Sequence, residues 1–212
     1  MRLTDEALGD IQGVITSGYR HLPYAAYLFV TMTRDIGARR WLSRISTAIT
    51  SSRRWPRDRQ PASAKPHSAV NVGITADGLR ATGLPVRVLS TFPSEFQDGI
   101  ASPERSRILG DTGESAPERW EFGGRDTEPV HAVLLLFASD ETRLDELCAS
   151  QRAILESCDG VAELRGSLQR GYRPDTATEP FGFHDGIAQP QIAGVHDAGV
   201  ATRAQHVVDR LG

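Results

Sequence analysis

The amino-acid sequence predicts an α+β fold in which helices cover one face of an antiparallel β-sheet. Apolar segments typical of buried strands alternate with stretches in which apolar side chains recur at helical spacing. Their order along the 212 residues is strand, helix, strand, a long insertion, strand, helix and strand. This βαββαβ order is the one found in a ferredoxin-like sandwich.

The first half of the chain supplies two strands and the helix between them. Residues 24–33 (YAAYLFVTMT) are apolar and aromatic enough for a buried strand, and residues 36–51 repeat apolar side chains at helical spacing. Residues 53–66, rich in Arg, Pro and Ser, predict an exposed loop, and residues 68–74 (SAVNVGI) predict the second strand. Thr75 then begins a short helix.

The second half repeats the pattern after an insertion at about 85–128, which is polar and has no clear period beyond a short helix near 95–100. Residues 131–138 (HAVLLLFA) contain the longest apolar run of the chain and predict the third strand. Residues 140–156 predict a helix capped by its first residue, an aspartate. Residues 161–170 predict the fourth strand.

Composition and charge exclude several classes of function. A net charge of −3 favours neither nucleic acid nor an anionic membrane surface as a partner. No apolar run is long enough to span a membrane, and the N-terminus lacks the apolar core and cleavage site of a signal peptide. Cys148 and Cys158, the two cysteines, have neither redox nor zinc spacing. We therefore expect a cytoplasmic protein with free thiols.

One segment near the C-terminus carries candidate chemistry, at residues 179–190 (EPFGFHDGIAQP). Asp185-Gly186 is a strong turn signal, and Gly182 and Gly186 permit backbone angles or close approaches that a side chain would block. Pro190 excludes helix at the residue before it. An acid held rigidly in this way suits three roles: a general acid or base, a metal ligand, or a residue that only forms the turn.

The residues around this acid resemble a known family. The run 181–190 is similar to the GxxDG motif and following residues of the dye-decolorising (DyP-type) haem peroxidases. Further stretches resemble other segments of that family in the same order along the chain. They are DIQG at 10–13, AAYLF at 25–29, NVGIT at 71–75 with Gly78-Leu79, FPSEF at 92–96, ILGD at 108–111, Trp120 and His131-Ala132. The resemblance covers nearly the whole chain, and its linked motifs make it specific.

The resemblance implies two ferredoxin-like halves with haem b bound between the sheet of the C-terminal half and adjacent elements. This chain corresponds to the N-terminal half. We expect residues 1–170 to form one ferredoxin-like domain that includes the insertion, and residues 171–212 to pack on haem and on a C-terminal half. The partners implied are hydrogen peroxide and organic electron donors such as dyes and phenols. A homo-oligomer or a complementary C-terminal half is the protein partner expected, with no nucleic acid and no membrane.

By the same resemblance, Asp185 corresponds to the distal acid of the family. In that role it accepts a proton from hydrogen peroxide and returns it to the departing oxygen, which requires a carboxylate of suitable pKa close to both oxygens. The residues expected to contact haem are His184, Asp185, Gly186, Ile187, Ala188 and Gln189. The family's proximal histidine and distal arginine lie in its C-terminal half. We therefore expect no metal ligand in this chain and little activity from the chain alone.

The histidines outside the motif show no metal-ligand spacing, which predicts structural or exposed positions for them. They are His21, His67, His131, His196 and His206. The alternative function is a non-catalytic ferredoxin-like module that binds or assembles with another chain, in which Asp185 only forms a turn. The nucleotide sequence after the codon for Gly212 distinguishes the two hypotheses.

Overall fold

The structure is a computed structural model that describes residues 3–53, 65–176, 178, 181–183, 192, 194 and 195. The strands are β1 (Tyr24–Met32), β2 (Ser68–Ile74), β3 (Ala132–Ala138), β4 (Val161–Glu163) and β5 (Gln169–Tyr172). The α-helices are α1 (Asp5–Gly9), α2 (Asp35–Ile45), α3 (Ala76–Ala81), α4 (Val86–Leu89), α5 (Ser94–Asp98), α6 (Pro103–Leu109) and α7 (Glu141–Glu156). Short 3-10 helices lie at Gly13–Ile15, Gly113–Ser115 and Pro117–Arg119.

β1 lies inside an antiparallel sheet with the strand order β2-β3-β1-β4. β5 also pairs with β1, on the same edge as β4, because β3 already occupies the other edge over those residues. Tyr24 therefore lies between Ala138 of β3 and Tyr172 of β5, while Met32 lies opposite Val161 of β4. This strand order confirms the predicted ferredoxin-like α+β fold.

The core lies between the sheet and the two longest helices. Side chains alternate along β1 and β3, so every second residue points towards α2 and α7. The buried residues of this face are Ala26, Leu28, Val30, Met32, Ala132, Leu134, Leu136 and Ala138. Trp41 and Ile45 of α2, with Leu144 and Leu155 of α7, pack against them. Removal of this apolar surface from water is the main stabilisation of the domain.

Helix α2 ends six residues before the predicted boundary at residue 51, at Ile45. The hydroxyls of Ser46 and Thr47 donate to the carbonyl oxygens three residues earlier, so they compete with further helical hydrogen bonds. Beyond them the chain turns to the outer edge of β2, where the Thr50 N–H donates to the Val70 carbonyl at 2.8 Å. The predicted extension was wrong because apolar spacing continued past the point where the backbone finds other partners.

The predicted fourth strand, 161–170, is divided into β4 and β5. The intervening turn contains Gly166, whose φ of +71° suits glycine, and Ser167 bonds back to the Leu164 carbonyl through both its N–H and its hydroxyl. The Leu164 N–H still donates to the Phe29 carbonyl at 2.8 Å, so the turn stays attached to β1. The other predicted strands and α7 lie within one or two residues of their predicted bounds.

The insertion is built from short helices around one arginine. Arg125 donates to the Ala101 carbonyl at 2.6 Å and to the Ser106 hydroxyl at 3.1 Å, and it forms an ion pair with Glu118. α5 lies close to the predicted helix at 95–100, whereas α4 and α6 were missed. Helices of four to seven residues are too short to display a periodic apolar pattern.

Gly37 of α2 lies against the backbone that precedes β4. A Cβ at this position would lie 1.8 Å from the Asp159 carbonyl oxygen. We expect Gly37→Ala to destabilise the fold by about 1–3 kcal/mol through this clash. The effect is opposite to the usual one, because alanine normally stabilises a helix relative to glycine. Urea denaturation measures the difference. Ser43→Ala, on an exposed position of the same helix, is the control, and equal stability of the two variants would contradict the packing argument.

His131 joins three strands at one end of the sheet. Its N–H donates to the Val30 carbonyl, its carbonyl accepts from the Thr75 N–H, and its ring Nδ1 accepts from the Met32 N–H at 3.0 Å. Burial lowers the pKa of His131, and the carboxylates of Asp77 and Glu128 oppose that shift. The folded protein therefore holds the imidazole neutral, as an acceptor.

A lowered pKa in the folded state means that the unfolded chain takes up the proton first as the pH falls. We expect the stability contributed by His131 to be complete above the unfolded pKa of about 6.5 and to decrease as the pH falls below it. Thermal unfolding at pH 7.5 and pH 5.5 measures this decrease. The decrease should be smaller in His131→Gln and unchanged in His67→Gln, which alters an exposed imidazole. An unchanged pH dependence in His131→Gln would contradict the assignment.

Candidate functional site

The residues predicted to form the site lie outside the described part of the chain. They are His184, Asp185, Gly186, Ile187, Ala188 and Gln189. Their predicted roles therefore stay predictions. The described residues nearest to them in sequence are Phe181–Phe183, directly before His184, and Ile192, Gly194 and Val195, shortly after Gln189. The structure also describes the sheet from which the segment departs.

The segment with the motif leaves the sheet beside the start of β1. Tyr172, the last residue of β5, packs its ring against Tyr24 with 4.9 Å between the ring centroids. The next residue, Arg173, donates its N–H to the Pro23 carbonyl at 2.8 Å. The path towards Asp185 therefore begins at a fixed point at the Tyr24 end of the sheet.

Two aromatic rings at the start of the motif segment are exposed. Phe181 exposes 86% of its surface and Phe183 exposes 70%. Gly182 between them has a φ of +84°, in the region that favours glycine. Neighbouring exposed aromatic rings mark a surface suited to an apolar ligand or to another protein surface.

The face of the sheet opposite α2 and α7 is apolar and only partly covered. It carries Ala25, Tyr27, Phe29, Val133, Leu135 and Phe137, which we call the open face, and all of them are partly exposed. Phe122 from the insertion packs on Phe29 with 4.8 Å between the ring centroids, and Tyr19 packs on Phe137 at 5.0 Å. The described part of the chain therefore covers the open face at its margins and leaves apolar area between them.

A buried polar network fastens the N-terminal residues to the outer edge of β2. The Tyr19 hydroxyl donates to Asn71 Oδ1 at 2.7 Å, and burial raises the pKa of Tyr19 to about 12. The Gln12 side chain accepts from the Val72 N–H and donates to the Val72 carbonyl, both at 2.8 Å. The sequence marks DIQG at 10–13 only as a family motif before the first strand. In the structure its glutamine acts as a substitute strand partner, which apolar periodicity does not indicate.

The histidines in the described ranges do not form a metal site. His21 Nε2 lies 3.1 Å from the Pro66 carbonyl oxygen, and His131 Nδ1 accepts from a backbone N–H. Within those ranges no group of three or more His, Cys, Asp or Glu side chains is placed to hold a metal ion. No helix of the described residues is both long and apolar enough to cross a membrane.

A surface depression of about 440 Å³ lies at the other end of β1. Residues 33–37, Arg40 and Asp159 line it, and Arg34 forms an ion pair with Asp159 at 2.6 Å. Tyr24 and Met32 are about 26 Å apart along an extended strand. The depression and the point at which the motif segment leaves the sheet are therefore at opposite ends of β1.

Curated relatives match the chain over most of its length, although no family model matches it. The dye-decolorizing peroxidase of Exidia glandulosa is 29% identical over 203 residues, which cover 94% of this chain and 36% of the relative. Peroxidase 2 of Mycetinis scorodonius is 31% identical over 196 residues, which cover 90% of this chain and 35% of the relative. The chain thus spans about a third of the length of these relatives.

Solved structures share the fold. A dye-decolorizing peroxidase in complex with cyanide superposes with a TM-score of 0.68 at 23% identity, covering 93% of this chain and 41% of the other. A fungal DyP-type peroxidase from Auricularia auricula-judae superposes with a TM-score of 0.66 at 25% identity, covering 93% of this chain and 44% of the other.

The sheet order and the helices on one face define the chain as a ferredoxin-like α+β unit. This unit is similar in sequence and in fold to dye-decolorizing peroxidases, so the recognition predicted from the motifs is confirmed. The extent of the match is consistent with the N-terminal half of such a protein.

The open face predicts that this chain, purified by itself, associates with further copies of itself. Partly exposed apolar residues on two adjacent strands favour contact with another apolar surface. We expect Leu135→Glu, which places a charge within the open face, to shift the chain towards monomer in sedimentation velocity at micromolar concentration. Ile36→Glu adds the same charge on α2, where Ile36 is 69% exposed, and should leave the association unchanged. A stable monomer of the unsubstituted chain would contradict the prediction.

Proposed function

We propose that this chain is the N-terminal part of a haem-dependent dye-decolorising peroxidase, which reduces hydrogen peroxide and oxidises dyes, phenols or similar donors. The observation that carries the proposal is the similarity to dye-decolorizing peroxidases over 94% of the chain, in a sequence that also contains GxxDG at 182–186. The shared ferredoxin-like fold supports it.

In this proposal Asp185 is the acid and base of the site. Its carboxylate accepts a proton from hydrogen peroxide and donates it to the oxygen that departs as water, so one group serves both transfers. Gly186 comes directly after it without a side chain and permits a close approach of the backbone to the ligand. His184, Gly186, Ile187, Ala188 and Gln189 are the residues proposed to lie along the haem.

Two described aromatic residues of this segment suit contact with a flat apolar group. The exposed rings of Phe181, directly before the motif, and Phe183, within it, suit contact with the edge of a porphyrin. The described imidazoles of His21 and His131 already have backbone partners, so neither is proposed as an axial ligand. Haem b, when bound, supplies the redox chemistry on peroxide. The axial histidine and the charge-stabilising arginine are proposed to come from polypeptide outside this chain, as a complementary C-terminal half.

A second candidate is a ferredoxin-like module without catalytic activity that binds another chain through its sheet. The partly uncovered open face is the observation that favours it. The two candidates predict different nucleotide sequences after the codon for Gly212. A reading frame with histidine and arginine motifs supports the peroxidase, and an unrelated reading frame supports the module.

The experiment uses the longest polypeptide that the gene encodes around this chain, loaded with haemin. We expect Asp185→Asn to lower the rate of peroxide-dependent dye oxidation by about 10²–10⁴-fold, the usual contribution of a general acid or base. The haem absorbance should change little, because the substitution keeps the size of the side chain. Stopped-flow absorbance measures both.

Asp175→Asn is the matched control, because it removes an exposed carboxylate from the same segment outside the motif. Its rate should equal that of the unsubstituted protein. If Asp185→Asn oxidises dye as fast as this control, the proposed role of Asp185 is wrong. The chain of 212 residues alone should bind haemin weakly and show no turnover. A sharp Soret band at one haem per chain, with turnover, would overturn the assignment of the axial ligand to another polypeptide.

A further inference from the structure

We propose that residues 117–125, which we call the strap, close one end of the open face, and that Arg125 holds the strap in this position. The strap belongs to the insertion before β3, and the structure describes all of its residues. The inference goes beyond the proposed peroxidase function, because it concerns the apolar area that the domain offers to another surface and involves no haem.

The tip of the strap lies on β1. The Phe122 ring packs on the Phe29 ring with 4.8 Å between the ring centroids and 44° between the ring planes, a favourable arrangement for two aromatic rings. Phe29 lies opposite Val133 of β3, whereas Tyr19 covers the open face at Phe137. Val133 and Phe137 are about 13 Å apart along the strand. The strap and Tyr19 therefore cover opposite ends of the open face.

The base of the strap is fixed by polar contacts. Arg125 donates to the Ala101 carbonyl at 2.6 Å, just before α6, and to the Ser106 hydroxyl at 3.1 Å, within α6. It also forms an ion pair with Glu118, near the other end of the strap. One guanidinium group therefore joins the two ends of the strap to each other and to α6.

The strap is a closed loop with little space at its base. A Cβ on Gly124 would lie 2.1 Å from the Pro117 carbonyl oxygen, so the absence of a side chain allows the two ends to approach each other. The Trp120 indole N–H donates to the Ser115 carbonyl at 2.9 Å, which fixes this ring to the insertion. These contacts leave the Phe122 ring to reach the sheet.

The strap is attached to the insertion and to the sheet by different kinds of contact. Among the described residues, no hydrogen bond or ion pair links residues 117–127 to a strand. The tip is held on the sheet by ring packing, which is less directional than a hydrogen bond. The position of Phe122 over Phe29 therefore depends on the base that Arg125 fixes. Arg125 is a positioning residue that acts on the open face through Phe122.

Release of the strap adds its end of the sheet to the uncovered part of the open face. A larger uncovered apolar patch favours contact with another apolar surface. The occupant that we propose for the uncovered area is a second copy of this chain, as in the self-association predicted above. The strap therefore limits the area through which two copies meet.

Fluorine NMR of the chain labelled with 4-fluorophenylalanine tests the positioning role. Phe29→Leu identifies the Phe29 resonance by its loss, and Phe122→Leu shows where this resonance lies without the second ring. We expect Arg125→Gln to move the Phe29 resonance to the position found in Phe122→Leu. Arg119→Gln is the matched control, because it removes an arginine of the strap that pairs with Glu114 at 2.7 Å and should leave the resonance in place. An unmoved resonance in folded Arg125→Gln overturns the proposal.

Hydrogen–deuterium exchange, measured by mass spectrometry, gives a second readout on peptides that cover residues 117–127. We expect exchange at least about tenfold faster in Arg125→Gln than in Arg119→Gln, the effect of losing hydrogen bonds from a charged donor. Peptides from β1 and β3 should exchange equally in the two variants, because the sheet keeps its hydrogen bonds. Equal exchange of residues 117–127 in the two variants contradicts the role of Arg125.

A milder pair of variants decides the question if Arg125→Gln does not fold. Glu118→Ala removes the ion-pair partner of Arg125, and Glu114→Ala removes the ion-pair partner of Arg119. The Phe29 resonance should move in the first variant and stay in place in the second. The same resonance position in both variants overturns the proposal.

The consequence for association is measured by sedimentation velocity. Arg125→Gln should associate at concentrations about two- to tenfold lower than Arg119→Gln, the contribution of one aromatic ring pair. Arg125→Gln combined with Phe122→Leu should associate as Phe122→Leu alone does, because Arg125 acts through that ring. Additive effects of the two substitutions would overturn the positioning role. If the Phe29 resonance moves but association does not respond, the strap stands and a second copy is the wrong occupant.

Discussion

The pairing of β1 with strands on both of its edges is the interaction on which the rest of the structure depends. β3 pairs along one edge, and β4 and β5 share the other. Because the side chains of β1 alternate, the same strand supplies the core beneath α2 and α7 and the open face on the opposite side. Its first residue, Tyr24, also fixes the point where the chain departs towards the GxxDG motif. One strand therefore links the folding core to the predicted site.

The elements that follow apolar periodicity could be predicted from the sequence, because their side chains pack against one another. The β1, β2, β3 and α7 segments are of this kind. Prediction from apolar periodicity failed where polar groups determine the backbone conformation. Ser46 and Thr47 end α2 by bonding back to it, and Gly166 divides the last strand. Arg125 organises an insertion that has no apolar period. Such polar contacts leave no periodic trace in the sequence, so no local apolar pattern indicates them.

For the candidate site, the sequence and the structure supplied different information. The GxxDG motif pointed to the family through residues whose proposed role is to bind a ligand and whose local pattern resembles an ordinary turn. Taken alone, Asp185-Gly186 indicates only a turn. Its functional interpretation came from motifs elsewhere in the chain, and similarity to dye-decolorizing peroxidases supports that interpretation. The described structure adds the exposed Phe181 and Phe183 rings and the backbone hydrogen bonds from Arg173 to Pro23 and from Leu3 to Gly194, which neither the motif nor apolar spacing indicated.

Gln12 has a consequence for how the molecule behaves among other proteins. β2 is an edge strand, and an edge strand normally offers unpaired N–H and C=O groups to which a foreign strand can add. Here the Gln12 side chain forms hydrogen bonds with both the N–H and the C=O of Val72. Thr50 does the same for Val70: its backbone N–H donates to the Val70 carbonyl, and its hydroxyl accepts from the Val70 N–H. Extension of the sheet into an intermolecular ribbon is therefore blocked at this edge. One amide and one threonine, on two segments that lie along the outer edge of β2, protect the fold against amyloid-like growth.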